Sequence, residues 1–221
     1  MTPQLESFHV KICGITSSTD AELALAAGAD MLGLNFVPTS PRFIDVHLAQ
    51  DIARAVCGRA RLVGVFADAD EKHMRDIAAA VPLDLLQLHG SESPEFVAAM
   101  GPTAFKAVAI GSAEDVEFAK TYPGELLLVD ARVAGQRGGT GVRIDPGLVA
   151  PLARKRPILL AGGLRPENVA DAVRHVQPCG VDVASGVEKA PGLKDEGMMR
   201  TFVMEARRAA REVFELRDDN E

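Results

Sequence analysis

No apolar run in the chain approaches the roughly 20 residues that a membrane-spanning helix needs, and the first residues carry no apolar secretory segment. A cytoplasmic location and no membrane partner are therefore expected. Cysteine is scarce: Cys13, Cys57 and Cys179 are an odd number with no Cys-x-x-Cys pair. Neither a disulfide framework nor a thiolate zinc site is indicated. His9, His47, His73 and His175 fall at no ligand spacing, so no metal is expected. Positive charge is also in deficit. A net charge of −7 argues against general binding to nucleic acid or anionic membrane, while local positive charge can still hold a phosphorylated small molecule.

What the chain does have is apolar content, 47% of 221 residues, enough for one soluble domain with a substantial core. The expectation is a single domain over residues 1–221, with 1–7 and 217–221 as frayed tails. Eight short apolar runs read as strands: His9–Cys13, Met31–Val37, Leu62–Ala67, Leu85–His89, Phe105–Ile110, Glu125–Asp130, Pro157–Ala161 and Val181–Ser185. Their ends recur at roughly 20 to 32 residues, the length of one βα unit. Amphipathic stretches lie between them at Ser18–Ala27, Leu48–Val56, Glu71–Ala80, Pro94–Met100, Ala113–Thr121 and Arg165–Arg174, with a long one at Asp195–Leu216. Helix starts are marked at Ser17, at Ser93-Pro94-Glu95 and at Arg165-Pro166-Glu167-Asn168. Strict alternation of strand and helix predicts a parallel sheet. Eight units in this length predict a closed (β/α)8 barrel; a doubly wound sheet is the weaker alternative.

In such a barrel the C-terminal strand ends form the active-site face. Cys13 closes the first strand and Asp130 the sixth, so a thiol and a carboxylate from distant strands would face one mouth. Side chains alternate along a strand, which puts Lys11 on the same face as Cys13, one layer below. An ammonium there would raise the thiolate fraction; a structural ion pair inside the barrel explains Lys11 equally well. Gln87 and His89 share a face on strand four, and a hydrogen-bonded structural histidine is the favoured reading of His89. Asp68, just after strand three, and Asp182, within strand eight, are rival carboxylates that residue chemistry alone separates only modestly from Asp130. Cys57 and Cys179 read as small buried hydrophobes.

Glycine-rich loops follow the last three strands: Gly138-Gly139-Thr140-Gly141, Gly162-Gly163 and Ser185-Gly186. Loops seven and eight of a barrel commonly cradle a phosphate through backbone N–H groups. In loop two, Arg42 is held between Pro41 and Phe43, where its fork can clamp a carboxylate or simply be solvated.

Lys11-Ile-Cys-Gly-Ile-Thr16, Ser40-Pro-Arg42, Val63-Gly-Val-Phe66, Leu86-Gln-Leu-His-Gly90, Asp130 with Gly138-Gly-Thr-Gly141, Ala161-Gly-Gly-Leu-Arg-Pro-Glu-Asn168, Asp182-Val-Ala-Ser-Gly-Val-Glu188 and Pro191-Gly-Leu-Lys-Asp195 occur in that order. From about residue 9 to 205 the chain closely resembles the phosphoribosylanthranilate isomerases, barrel enzymes of tryptophan biosynthesis. The opening and closing motifs together make the resemblance specific. It implies a cofactor-free Amadori rearrangement of a small phosphosugar-anthranilate substrate. Asp130 would be the general acid and Cys13 the general base. Arg42 would bind the anthranilate carboxylate. Gly162, Gly163, Ser185 and Gly186, with Asp182 nearby, would hold the phosphate, and Lys11, Gln87, His89 and Gly141 would support the site. Ile144 and Pro146 stand where the family often has an aromatic pair around an aspartate, here Asp145, and Ala184 stands where a serine is common.

The nearest rivals are other phosphosugar barrels. An epimerase would need metal-binding histidines, an indole-glycerol-phosphate synthase a strand-end lysine, and a two-aspartate sugar isomerase an aspartate at position 13. A non-catalytic phosphate-binding barrel would have no need of Cys13, Asp130 and Arg42 together. Monomer and homodimer are both compatible with the sequence.

Overall fold

The computed structural model describes residues 8–130 and 146–218. Strands β1 (His9–Cys13), β2 (Met31–Asn35), β3 (Arg61–Phe66), β4 (Leu85–Leu88), β5 (Ala104–Ala109), β6 (Leu127–Asp130), β7 (Ile158–Ala161) and β8 (Gly180–Val183) close into a parallel barrel. Each neighbours the next in sequence, and β8 pairs back onto β1. Helices α1 (Ser18–Ala27), α2 (Val46–Val56), α3 (Glu71–Ala80), α4 (Pro94–Met100), α5 (Ala113–Ala119), α6 (Pro146–Ala153), α7 (Val169–Val176) and α8 (Glu196–Asp218) alternate with the strands. The predicted (β/α)8 architecture is the one observed, and no helix among the described residues is long and apolar enough to cross a membrane.

Strand alternation divides the apolar residues into two sets. Met31, Val63, Phe105, Ala107, Leu128, Leu159 and Ala161 fill the barrel, while Val10, Ile12, Leu32, Leu34, Leu127, Val129, Ile158 and Leu160 face the helices. Each fully buried Leu, Ile or Val side chain contributes roughly 1.5–3 kcal/mol, so a one-residue slip of any strand would expose one set and misplace the other. The same parity carries Lys11, Cys13, Gln87, Asp130 and Asp182 inward, which makes the barrel polar toward its C-terminal end.

Several expectations are corrected. Most strands are shorter than their apolar runs: β2 stops at Asn35, β4 at Leu88 and β8 at Val183. Helix α7 starts at Val169, after the Arg165–Asn168 stretch that reads as its first turn. The Asn168 side chain is committed backward, its Oδ1 accepting from Arg165 N at 2.7 Å and its Nδ2 donating to Gly163 O at 3.0 Å. Ser17 and Ser93, by contrast, cap α1 and α4 as expected. Cys57 is exposed, because it is the left-handed residue (φ 49°) that ends α2; Cys179 is partly buried. After β8 the chain makes a 3-10 turn at Ser185–Val187 and then an unanticipated hairpin, β9 (Glu188–Ala190) with β10 (Leu193–Lys194). Gly138, Gly139, Thr140, Gly141, Ile144, Asp145 and the tail residues 1–7 and 219–221 lie outside the described residues, whereas Pro146 opens α6.

Candidate active site

Cys13 ends β1 opposite Gly33 of β2. A Cβ at Gly33 would sit 2.7 Å from Cys13 Sγ and 3.1 Å from Lys11 Nζ, so thiol and ammonium share the space that this glycine leaves open. Lys11 is fully buried, and its Nζ donates to Asp182 Oδ1 at 2.7 Å. Burial works against its charge, but the charges and hydrogen bonds of Asp182 and Cys13 outweigh it and raise the Lys11 pKa. Lys11 is therefore an ammonium held between a carboxylate and the thiol. The two readings of this lysine, ion pair and thiol neighbour, describe the same side chain.

Asp130 ends β6 between Ala109 and Ala161, with 7% of its surface exposed. His89, one residue past β4, has its pKa lowered chiefly by burial. Asp130 and Asp182 pull it upward while Lys11 and Lys106 push it down. The His89 ring Nδ1 meets Gln87 Nε2 at 3.1 Å. With the amide donating, Nδ1 accepts and Nε2 carries the proton. Gln87 Oε1 is buried and has no hydrogen-bond partner among the described residues. Asp68, the rival carboxylate, is exposed and has φ 51°. Its Oδ1 accepts from the Ser91 hydroxyl (2.6 Å) and Ser91 N (2.7 Å), and these bonds hold its carboxyl below the usual range. That commits Asp68 to joining the loops after β3 and β4.

Lys106 on β5 was not singled out by sequence. It is buried, and its Nζ donates to the carbonyls of Leu88 (3.1 Å), Gly90 (2.7 Å) and Ala107 (2.9 Å) and pairs with Glu92 at 3.2 Å. It thus braces the strand end that carries His89. A lysine inside the apolar stretch Ala104-Phe105-Lys106-Ala107-Val108 is the signal that marks it.

Arg42 reaches the same rim from the loop after β2. Its stem lies over Gly14, where a Cβ would overlap Arg42 Cδ and where φ is +73°. The glycine after Cys13 thus meets two demands at once, a left-handed backbone and a passing side chain. The Arg42 guanidinium is gripped by Glu188, Nε to Oε1 at 2.7 Å and Nη2 to Oε2 at 2.6 Å. Lys194 Nζ donates to Glu188 Oε1 (2.8 Å), Cys13 O (2.6 Å) and Ala184 O (3.1 Å). Thr16 Oγ1 donates to Gly192 O. The Lys11–Thr16, Ser40–Arg42 and Ser185–Asp195 motifs, far apart in the chain, meet here.

The loops after β7 and β8 lie against each other. Gly162 and Gly163 have φ of +97° and +68°, and a Cβ at Gly186 would overlap Leu164 O. Ser185 is exposed at the start of the 3-10 turn, and Ala184 precedes it. Asp182, grouped with these loops on sequence, is the partner of Lys11 inside the barrel; a carboxylate so placed serves the ammonium and would repel a phosphate. Gly141, grouped with the supporting residues, lies outside the described residues. No His/Cys/Asp/Glu group that could hold a metal occurs among the described residues.

Fold and mouth together define a (β/α)8-barrel enzyme whose ionisable groups gather at the C-terminal strand ends. The family model for N-(5′-phosphoribosyl)anthranilate isomerase matches residues 10–205. The N-(5′-phosphoribosyl)anthranilate isomerase of Myxococcus xanthus is 47% identical over 206 residues, which cover 91% of this chain and 97% of that protein. The crystal structure of phosphoribosyl anthranilate isomerase from Thermotoga maritima superposes with TM-score 0.84 at 36% identity, covering 91% of this chain and 99% of that one. A phosphoribosyl anthranilate isomerase in complex with reduced 1-(o-carboxyphenylamino)-1-deoxyribulose 5-phosphate gives 0.80 at 34% identity, with 91% and 99% covered. The chain belongs to the N-(5′-phosphoribosyl)anthranilate isomerase family and is an isomerase.

Proposed function

We propose that the chain converts N-(5-phosphoribosyl)anthranilate into 1-(2-carboxyphenylamino)-1-deoxyribulose 5-phosphate, an Amadori rearrangement in tryptophan biosynthesis that needs no cofactor. The observation that carries this reading is Cys13 at the end of β1, beside the Lys11 ammonium and next to Gly14, over which the Arg42 stem passes, in a chain that matches the family along most of its length.

Asp130 donates a proton to the ring oxygen. The C1′–O bond breaks, and the amine nitrogen lone pair forms a cationic Schiff base. That cation acidifies C2′, and the Cys13 thiolate removes the C2′ proton to give an enolamine. The enolamine takes a proton at C1′ and loses one from the C2′ hydroxyl, so substrate and product are isomers. A donor on β6 and an acceptor on β1 divide the two proton transfers. Arg42 takes the aryl carboxylate, and the backbone of Gly162, Gly163, Ser185 and Gly186 takes the phosphate. Anchoring both ends holds C2′ against the sulfur. The polar Gln87–His89 pair lines the same mouth.

The test follows anthranilate fluorescence, with the unstable substrate generated in place from anthranilate and phosphoribosyl pyrophosphate by the transferase. Accelerated fluorescence loss with the parent protein, and none with Cys13→Ala or Asp130→Asn, is expected. Loss with Cys13→Ala would retain the activity but remove the thiol as essential base. A near-parental rate for Asp130→Asn would remove the acid. No loss with the parent, where a known isomerase works, would reject the function.

A further inference from the structure

Glu188 has no part in the chemistry above, yet its position is tightly determined. Its side chain is 4% exposed, against 20% for Arg42, and both of its oxygens are used on the Nε side of the arginine fork. A guanidinium held bidentately is fixed in plane as well as in place. The opposite, end-on edge, with its two Nη groups, is a second fork suited to a planar carboxylate. Glu188 is itself held by Lys194, which is wholly buried and bonds the carbonyl oxygens of Cys13 and Ala184. An unbroken series of short polar contacts therefore runs from the strand end bearing the thiol, through ammonium and carboxylate, to the guanidinium. Burial pushes the Glu188 carboxyl up, but the bonds from Arg42 and Lys194 outweigh it and hold it below its ordinary value.

We propose that Glu188 is a positioning residue for substrate recognition: it sets the plane of the Arg42 guanidinium so that the Nη edge meets the aryl carboxylate, and Lys194 ties that plane to the strand end of Cys13. This rests on the reading that Arg42 takes the aryl carboxylate. Two other accounts of Glu188 predict different signs. If it only weakens the local positive potential, its removal leaves two cations and should tighten the binding of every carboxylate ligand. If it only secures the β9–β10 hairpin, its removal should weaken all ligands alike.

The experiment measures dissociation constants for two stable probes, the reduced product analogue and the same molecule lacking the aryl carboxylate. The ratio between them isolates the carboxylate contact. Charge-assisted hydrogen bonds of this kind give the parent a preference of roughly 10- to 100-fold for the carboxylate probe. Glu188→Gln is expected to cut that ratio at least fivefold and leave the affinity of the second probe within twofold. Arg42→Lys, which keeps the charge and loses the fork, is expected to do the same, and adding Glu188→Gln to it is expected to change the ratio no further. In turnover, KM should rise more than kcat falls. An unchanged or increased ratio in Glu188→Gln, with the ratio reduced in Arg42→Lys, overturns the proposal alone. An unchanged ratio in Arg42→Lys overturns the assignment of Arg42 and the proposal with it. Should Glu188→Gln fail to fold, Glu188→Asp keeps the charge and shortens the reach by one methylene, and the same ratio decides.

Discussion

The side chain of Arg42 crosses the backbone of Gly14, the residue that follows Cys13, so closely that a Cβ at position 14 would overlap its Cδ. The putting together of these two residues joins the loop after β2 to the end of β1 and sets the distance between the arginine and the thiol. Gly14→Ala is expected to expel the Arg42 stem and also to strain a backbone with φ +73°, at about 1–2 kcal/mol for a left-handed residue with a Cβ. KM for the substrate should rise tenfold or more, with a smaller fall in kcat. An unchanged KM would show that the arginine does not need this path.

Gly33→Ala addresses the thiol directly. The new methyl would lie 2.7 Å from Cys13 Sγ and 3.1 Å from Lys11 Nζ, well inside van der Waals contact, in a closely packed interior that relaxes only in part. Lys11 is held by Asp182, so the sulfur is the group expected to give way. A fall in kcat/KM of about 100-fold is expected, with far-UV circular dichroism unchanged. Parental activity would mean that the position of the sulfur is not limiting.

Lys11→Met separates the structural from the chemical part of the Lys11–Asp182 pair. Losing the ammonium strands a buried carboxylate, and breaking a pair of this kind costs about 3–5 kcal/mol, read as a lower midpoint in urea. The parental contribution has a definite pH window. The Lys11 pKa is raised in the folded chain, so the stabilisation is complete below the ordinary lysine value and is lost only as pH climbs through the raised one. It is therefore constant across neutral pH. kcat/KM at neutral pH should also fall in Lys11→Met, because a thiolate without the ammonium loses its counter-charge. An unchanged kcat/KM rejects the influence of Lys11 on Cys13.

The remaining cysteines should differ in reactivity. Burial pushes the Cys179 thiol up to about 12, and its Sγ contacts Ile158 O at 3.1 Å, so it stays protonated at pH 8. Cys57 is exposed. Brief iodoacetamide treatment at pH 8 followed by peptide mapping should find Cys57 modified and Cys179 intact. The reduced product analogue should protect Cys13 and leave Cys57 unaffected. Labelling of Cys179 at the rate of Cys57 would contradict the burial argument.

Much of the barrel can be read from local pattern. The ends of β1, β6 and β7 fall where the apolar runs end, and Ser17 and Ser93 announce their helices because a cap is chemistry confined to four residues. Elements lacking such patterns escaped. The β9–β10 hairpin, of three residues and two, is too short for alternation to mark it. The start of α7 was misread because the Asn168 side chain, able to cap, bonds the preceding loop. Cys57 was misplaced by the general preference of cysteine for interiors, which a left-handed helix end overrides.

The order of apolar runs and the two-residue period along each strand determined the barrel and the inward direction of Lys11, Cys13, Gln87, Asp130 and Asp182, because both are local properties of the backbone. The partners of these groups were decided only by closure of the sheet. Lys11 and Asp182 are 171 positions apart and meet because β8 pairs with β1. Arg42 finds Glu188, and Lys194 finds the carbonyl of Cys13, because the hairpin after β8 folds back across the same rim. Charges buried at such separations are stabilised only by groups that the tertiary fold delivers, and no pattern along the chain encodes which ones those are.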